Sequence, residues 1–279
     1  MQVINTCAHM QHHMRLQQPQ TVALVPTMGN LHAGHARLIQ QAQTIAQHVI
    51  VSIFINPNQF NQASDFSSYP RTLDADVSLL ETLQVDAVFV PDEAQIYPPD
   101  STEVEQLRAP YLGDEFCGRF RPGHFDGVCT VVARLLSIIP AHYALFGEKD
   151  YQQLLIIQRL AADLKLATKI VPVATVRDDD GVALSSRNQH LAPAEREQAR
   201  QIYLALQRAQ RNYALEKIEE IQQEAIDLLT NQCLNVDYFS IRDAADLRTP
   251  TAASTRIVIM TAVTIGTTRL LDNVLFQIV

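Results

Sequence analysis

In the first half of the chain, short apolar runs alternate with longer amphipathic stretches. The runs are Thr21–Val25, Val49–Ile55, Ala87–Val90, Ala144–Phe146 and Ile170–Val173. They are nearly continuously apolar, as strands are when both faces of a parallel sheet are covered. Gly34–Gln47, Asp74–Leu83, Phe125–Ile139 and Tyr151–Leu164 lie between them and read as helices. This alternation predicts an α/β fold with a Rossmann-like doubly wound parallel sheet, its ligand at the carboxyl ends of the strands. After Arg187 the pattern changes. Glu195–Tyr213 places Ala199, Ile202, Tyr203, Leu206 and Ala209 on one helical face. Pro193 suits a first helical turn, although Ala192 is a poor N-cap. Glu216–Thr230 reads as a second helix, carrying Ile218, Ile221, Ala225, Leu228 and Leu229. Short strands are expected at Asp237–Ile241, Arg256–Val263 and Thr268–Leu271. The expectation is a Rossmann-like domain over 1–174 and a smaller α+β domain over 175–279.

Composition narrows the classes. A chain of 279 residues has room for one large domain or two unequal ones, and 47% apolar residues supply a core. The formal net charge is −8 without a long basic run, which argues against nucleic acid as a partner. Cys7, Cys117, Cys129 and Cys233 lie far apart, so free thiols are expected rather than a zinc site. The N-terminus lacks the pattern of a signal peptide, and no apolar stretch is long enough to span a bilayer. A cytoplasmic setting without membrane contact is expected. No G-x-G-x-x-G occurs, so a dinucleotide is not implied. The Gln-rich stretch Gln11–Gln20 reads as solvated.

The sharpest chemical signal is Thr27-Met28-Gly29-Asn30-Leu31-His32-Ala33-Gly34-His35, at the junction of the first strand and helix. Histidines three residues apart share a face at a helix start. A helix N-terminus offers unpaired N–H groups and the positive dipole end, which suits phosphate. Two imidazoles there can donate to the charge that builds on a transferring phosphoryl group. Without further motifs, H-x-x-H would read as two polar residues at a loop.

Further motifs occur. Phe54-Ile55-Asn56-Pro57-Asn58-Gln59-Phe60 is followed by Tyr69-Pro70-Arg71-Thr72, Arg121-Pro122-Gly123-His124-Phe125 and Phe146–Gln153. Ser185-Ser186-Arg187-Asn188 and Gly266–Asn273 complete the set. Together and in order they resemble the His-x-Gly-His nucleotidyltransferases, and among them the pantothenate synthetase (pantoate–β-alanine ligase) family. The resemblance spans nearly the whole chain. It implies ATP-dependent joining of pantoate to β-alanine through a pantoyl adenylate, giving pantothenate, AMP and diphosphate. It further implies His35 and His32 as catalytic residues, Mg²⁺ accompanying ATP, and a homodimer.

By the same resemblance, ATP is expected at Met28, Gly29, Asn30, Leu31, His32, Ala33, Gly34 and His35, and at Gly147, Glu148, Lys149 and Asp150. Val176, Leu184, Ser185, Ser186 and Arg187 complete that set. Lys149 and Arg187 would meet phosphates, Asp150 the ribose, and Leu184 the adenine. Pantoate and β-alanine are expected at Gln59, Gln153, Asn56 and Thr27. Asn56 has an alternative, capping the turn before Pro57. Arg121 and His124 form either a lid or a structural loop. Asp74 and Asp76 lie where the family brings carboxylates near magnesium, but Ala75 stands between them, so metal ligands stay unassigned. His9, His12 and His13 read as an exposed helix face. Two rivals share parts of this pattern: a nucleotidyltransferase joining AMP or CMP to a phosphorylated acceptor, and a non-catalytic nucleotide-binding or tRNA-associated module. The first would not require Gln59 and Gln153 in these contexts, and the net charge opposes the second.

Overall fold

The computed structural model describes residues 1–61, 63–98, 107–109 and 112–278. The chain forms two compact units. The first comprises Met1–Glu148 and Ile156–Ala174, the second Lys149–Leu155 and Thr175–Val279.

In chain order the first unit holds β1 (Gln2–Ile4), α1 (Cys7–Leu16), β2 (Val22–Thr27), α2 (Ala33–Ile45), β3 (His48–Ile53), α3 (Ala63–Ser68), α4 (Leu73–Thr82) and β4 (Ala87–Phe89). Then come α5 (Glu93–Ile96), α6 (Cys117–Phe120), α7 (His124–Ile138), β5 (Tyr143–Gly147), α8 (Tyr151–Asp163) and β6 (Lys169–Val173); the first five residues of α8 group with the second unit. The strands form one sheet in the order β1-β4-β3-β2-β5-β6, every neighbour pair parallel. From β2 the chain winds outward through β3 and β4, then returns to lay β5 on β2's other edge. The switch point is therefore β2–β5, paired at Ala23↔Tyr143 and Leu24↔Ala144. In such a sheet the ligand crevice opens at the carboxyl ends beside the switch. The strands are apolar on both faces because helices cover both. Ile39 and Ala42 of α2 pack with Val25, Val51, Val88 and Leu145 in one cluster. Full burial of a side chain such as Ile39 contributes about 1.5–3 kcal/mol.

The hydrophobic pattern did not reveal β1 or the buried face of α1. That face is Met10, His13 and Met14, spaced i, i+3, i+4, but a histidine and flanking glutamines dilute it. His9 and His12 are exposed as expected. His13 is not: it is 7% exposed, and its Nε2 lies 2.8 Å from Nε2 of His48, also 7% exposed. The Gln-rich stretch is likewise only partly solvated, since it contains this buried face.

One nitrogen of the His13–His48 contact must donate and the other accept, so the two rings cannot both be protonated on Nε2. Burial lowers both pKa values from the ordinary 6.5. Nearby Asp86, 3.8 Å from His48 Nδ1, opposes the shift. On acidification through about 6.5 the unfolded chain takes up protons that the folded pair refuses, so stability falls as pH drops there. The slope reaches about 1.4 kcal/mol per pH unit for each such proton. Thermal melts between about pH 7.5 and 5.5 should show this fall, and His13→Gln should flatten it. An equal fall in wild type and variant would remove the pair as its source.

The second unit contains α9 (Pro193–Arg211), α10 (Ile218–Asn231), β7 (Asn235–Asp243), β8 (Arg256–Ile265) and β9 (Thr268–Gln277). The strands form an antiparallel sheet in the order β7-β8-β9. Ile257, Ile259, Val263 and Ile265 of β8 share a core with Ile202, Leu206, Ile221 and Leu229 of the helices. Ala192 caps nothing with its side chain, and Glu195 compensates by accepting the Ala192 N–H at 2.9 Å. β9 runs past Leu271, where the apolar pattern stops. Asp272 and Asn273 are buried polar residues with partners inside the unit, so the strand does not end at them.

Candidate active site

β2 ends at Thr27 at the carboxyl edge of the sheet, and the chain turns at once into α2. Gly29 (φ +77°) and Asn30 (φ +50°) make that turn in the left-handed region. A Cβ on Gly29 would lie 3.0 Å from Asp76 Oδ2, so only glycine fits closely here. Asp76, 3% exposed, holds the loop from below. Its carboxylate accepts the N–H of Asn30 at 2.9 Å, that of Leu31 at 2.8 Å and the Thr72 hydroxyl at 3.2 Å. Thr27 donates its hydroxyl to the Ser52 carbonyl at 2.8 Å and accepts the Gly29 N–H at 3.2 Å.

The two histidines form the helix cap. His32 is the N-cap of α2, and its Nδ1 accepts the Gly34 N–H at 3.1 Å. His35 Nδ1 reaches back to accept the His32 N–H at 3.2 Å. This is a capping box built from imidazoles in place of Ser/Thr and Glu/Gln. A ring nitrogen that accepts carries no hydrogen, so each neutral ring carries its proton on Nε2. The rings lie 4.1 Å apart between centroids. The cap therefore turns two Nε2–H donors away from the backbone, at a helix N-terminus.

Asp76 and Asn56 are both engaged by neighbouring groups of the protein. Asn56 is 1% exposed and fully engaged. Its amide nitrogen donates to Gln59 Oε1 and to the Gly127 carbonyl, both at 3.1 Å. Its oxygen accepts the Asn58 N–H at 3.3 Å and the Tyr97 hydroxyl at 2.8 Å. An amide has two donors and two lone pairs, and all four are used within the protein. Asn56 caps the turn Pro57–Gln59, as the alternative to a substrate contact expects. Tyr97 went unnoticed in the sequence, 41 residues away. Burial pushes its pKa to about 12, so it stays a donor. Thr27 likewise spends its one O–H on the Ser52 carbonyl and keeps only a lone pair. Asp74 is exposed. Among the described residues no group of three or more His, Cys, Asp or Glu is placed to hold a metal ion.

Asp76→Asn should be costly in proportion. It puts an N–H₂ where a backbone N–H must be received, and losing a partner for a buried donor costs about 1–3 kcal/mol. The expected result is a lower denaturation midpoint together with weakened catalysis. Unchanged stability would mean that the loop is held elsewhere.

Gln59 is buried beside this loop, its Nε2 2.8 Å from Met28 Sδ. Arg121 and His124 both contact its carbonyl oxygen, at 3.2 and 2.7 Å. Both residues thus make a structural contact with the loop that carries Gln59.

In the second unit Lys149 sits on the turn Glu148–Asp150 that follows β5 and Gly147, with Nζ 3.7 Å from Asp150 Oδ1. Its carbonyl accepts from Asn273 Nδ2 at 2.8 Å. Asn273 adjoins Asp272, which pairs with Arg177 through two bonds of 2.6 and 2.8 Å. Arg177 also lies 3.8 Å over the Tyr203 ring. Burial pushes the Asp272 carboxyl pKa up, and Arg177 opposes it. This network of Arg177, Asp272 and Asn273 fixes the backbone under Lys149. The sequence flagged the Gly266–Asn273 motif but not that use. Gln153 is half-buried on the first turn of α8. Ser185 caps the turn Ser186–His190 by accepting the Arg187 N–H at 3.3 Å. Leu184 N–H donates to the Val176 carbonyl at 3.0 Å, placing those two half-exposed apolar residues side by side.

The profile of the family described as pantoate-beta-alanine ligase matches residues 2–275. The pantothenate synthetase of Methylococcus capsulatus is 44% identical over 265 residues, covering 92% of this chain and 91% of its own. That of Neisseria meningitidis serogroup A is 46% identical over 258 residues, covering 91% of each. The crystal structure of the Thermus thermophilus pantothenate synthetase superposes with a TM-score of 0.89 at 35% identity, covering 98% of this chain and 99% of that one. A Francisella tularensis pantoate–β-alanine ligase, complexed with β-γ ATP and β-alanine, gives 0.81 at 35% identity over 99% and 97%.

Proposed function

The chain belongs to the pantoate–β-alanine ligase family, and from that premise we propose how its residues share the ATP-dependent joining of pantoate to β-alanine. A pantoate carboxylate oxygen attacks the α-phosphorus of ATP, and the bond to diphosphate breaks. The β-alanine amine then attacks the acyl carbon of the pantoyl adenylate, loses a proton, and expels AMP. His32 and His35 turn their Nε2–H groups to the α-phosphoryl oxygens as charge builds there, an electrostatic role. The imidazole capping box is the single observation that carries this. It fixes both tautomers as donors in the direction away from the helix backbone.

Lys149, Ser185, Ser186 and Arg187 bind the phosphates, Asp150 the ribose, and Val176 with Leu184 the adenine. Gln59 and Gln153 hold pantoate. Thr27, Asn56 and Asp76 shape the loops that carry the contacting groups. Mg²⁺ would come with ATP and would neutralise phosphate charge, its ligands being the phosphates and water rather than a protein carboxylate. The Asp76 carboxylate is already taken by two amides and a hydroxyl, which supports that division. The family resemblance is the ground for proposing a homodimer. No helix among the described residues is long and apolar enough to cross a membrane, and a cytoplasmic location is proposed on the composition.

Isotope transfer tests the order of bonds. Pantoate labelled with ¹⁸O in its carboxylate should yield AMP carrying one labelled oxygen, because the attacking oxygen leaves with phosphorus. AMP free of label would refute an acyl adenylate.

A further inference from the structure

We propose that Arg121 and His124 are positioning residues for pantoate binding, acting as a clamp on the main-chain carbonyl of Gln59. The proposal rests on the assignment of Gln59 to pantoate.

The clamp follows from which atoms can donate. A carbonyl oxygen only accepts, so the 2.7 Å contact from His124 Nδ1 to the Gln59 oxygen requires a hydrogen on Nδ1. A guanidinium only donates, so the 3.1 Å contact between Arg121 Nη1 and His124 Nε2 requires a bare Nε2. His124 is therefore the neutral Nδ1–H tautomer, opposite to His32 and His35. Arg121 Nη2 donates to the same carbonyl at 3.2 Å. Three residues thus form a closed triangle around one oxygen, with His124 buried at 7% exposure.

Other contacts hold the base of the triangle. Gly127, one turn along α7, lies so close to the Pro57–Gln59 turn that a Cβ would overlap the Asn58 carbonyl. Its own carbonyl accepts from Asn56. The start of α7 therefore grips this turn from two sides. The result is a fixed direction for the Gln59 side chain. Its Oε1 accepts from Asn56, and one Nε2–H goes to the weak sulfur acceptor of Met28. Among the described residues its second N–H and second oxygen lone pair make no hydrogen bond. A hydroxy acid offers the complement, an acceptor carboxylate and a donor hydroxyl. Neither Arg121 nor His124 need touch it. They hold the backbone that aims the amide, and small misplacements of such a group cost rate or affinity steeply.

A double-mutant cycle on pantoate tests this, with ATP as the internal control. Gln59→Ala should raise the KM for pantoate. Arg121→Met and His124→Ala should each raise it by about 10-fold or more, the loss of about one hydrogen bond's positioning. The KM for ATP should stay within about twofold in both. His124→Asn, whose amide can donate where Nδ1–H does, should recover most of the loss. In a Gln59→Ala background, neither Arg121→Met nor His124→Ala should raise the pantoate KM further. A full additive increase there would overturn the clamp. So would equal rises in both KM values, or single variants with native pantoate KM. Should His124→Ala fail to fold, the Arg121→Met arm, at a half-exposed side chain, decides alone. A Gln59→Ala enzyme with unchanged pantoate KM would instead remove the pantoate assignment, a separate result.

Discussion

His32→Asn and His35→Gln should each lower turnover by about 10²–10³-fold, the range for losing one transition-state donor. These replacements separate chemistry from folding. Asparagine is among the best N-cap residues, and glutamine is a standard third-position partner in a capping box. Each can accept the bond that Nδ1 accepts now. Neither amide holds an N–H at the place where the imidazole, capped through Nδ1, holds its Nε2–H. Stability should therefore stay within about 0.5 kcal/mol of the parent, whereas alanine at His32 would also lose about 1 kcal/mol of capping. Steady-state turnover beside thermal melts reads both quantities. Native turnover in a stable His35→Gln enzyme would return that histidine to a purely capping role.

The second large effect is a crossed one. Lys149→Met keeps the apolar stem and removes the charge. It should lower kcat/KM for ATP by about 10²–10³-fold, as expected for a cation on a transferring phosphate. Gln59→Ala should leave ATP binding nearly native and raise the KM for pantoate by about 10-fold or more, consistent with one or two lost hydrogen bonds. Titrating each variant with an ATP analogue and with pantoate distinguishes them. Equal losses for both ligands in both variants would dissolve the division between nucleotide and acid contacts.

The parallel sheet was legible because its strands are buried on both faces, so their apolar runs stand out against amphipathic helices. β1 and α1 were not, because a three-residue edge strand gives no periodicity and the buried face of α1 includes His13. The far end of β9 was hidden for a related reason: Asp272 and Asn273 interrupt the apolar run and are in fact buried and bonded. At the site, residue types were legible and their employment was not. Thr27, Asn56 and Asp76 have the chemistry of ligands. Only the hydrogen bonds show that Asn56 joins the turn to Gly127 and Tyr97, and that Thr27 and Asp76 hold mainly backbone groups. Arg121 and His124 were ambiguous because their partner is a main-chain oxygen, which no side-chain pattern announces. The histidine tautomers lay beyond any motif, since each depends on which nitrogen faces an amide and which a carbonyl.

This chain should activate pantoate with ATP before β-alanine is involved. Exchange of labelled pyrophosphate into ATP by the purified protein tests it most directly. Exchange that requires pantoate and proceeds without β-alanine is the predicted result. Exchange indifferent to pantoate, or absent until β-alanine is added, would contradict it.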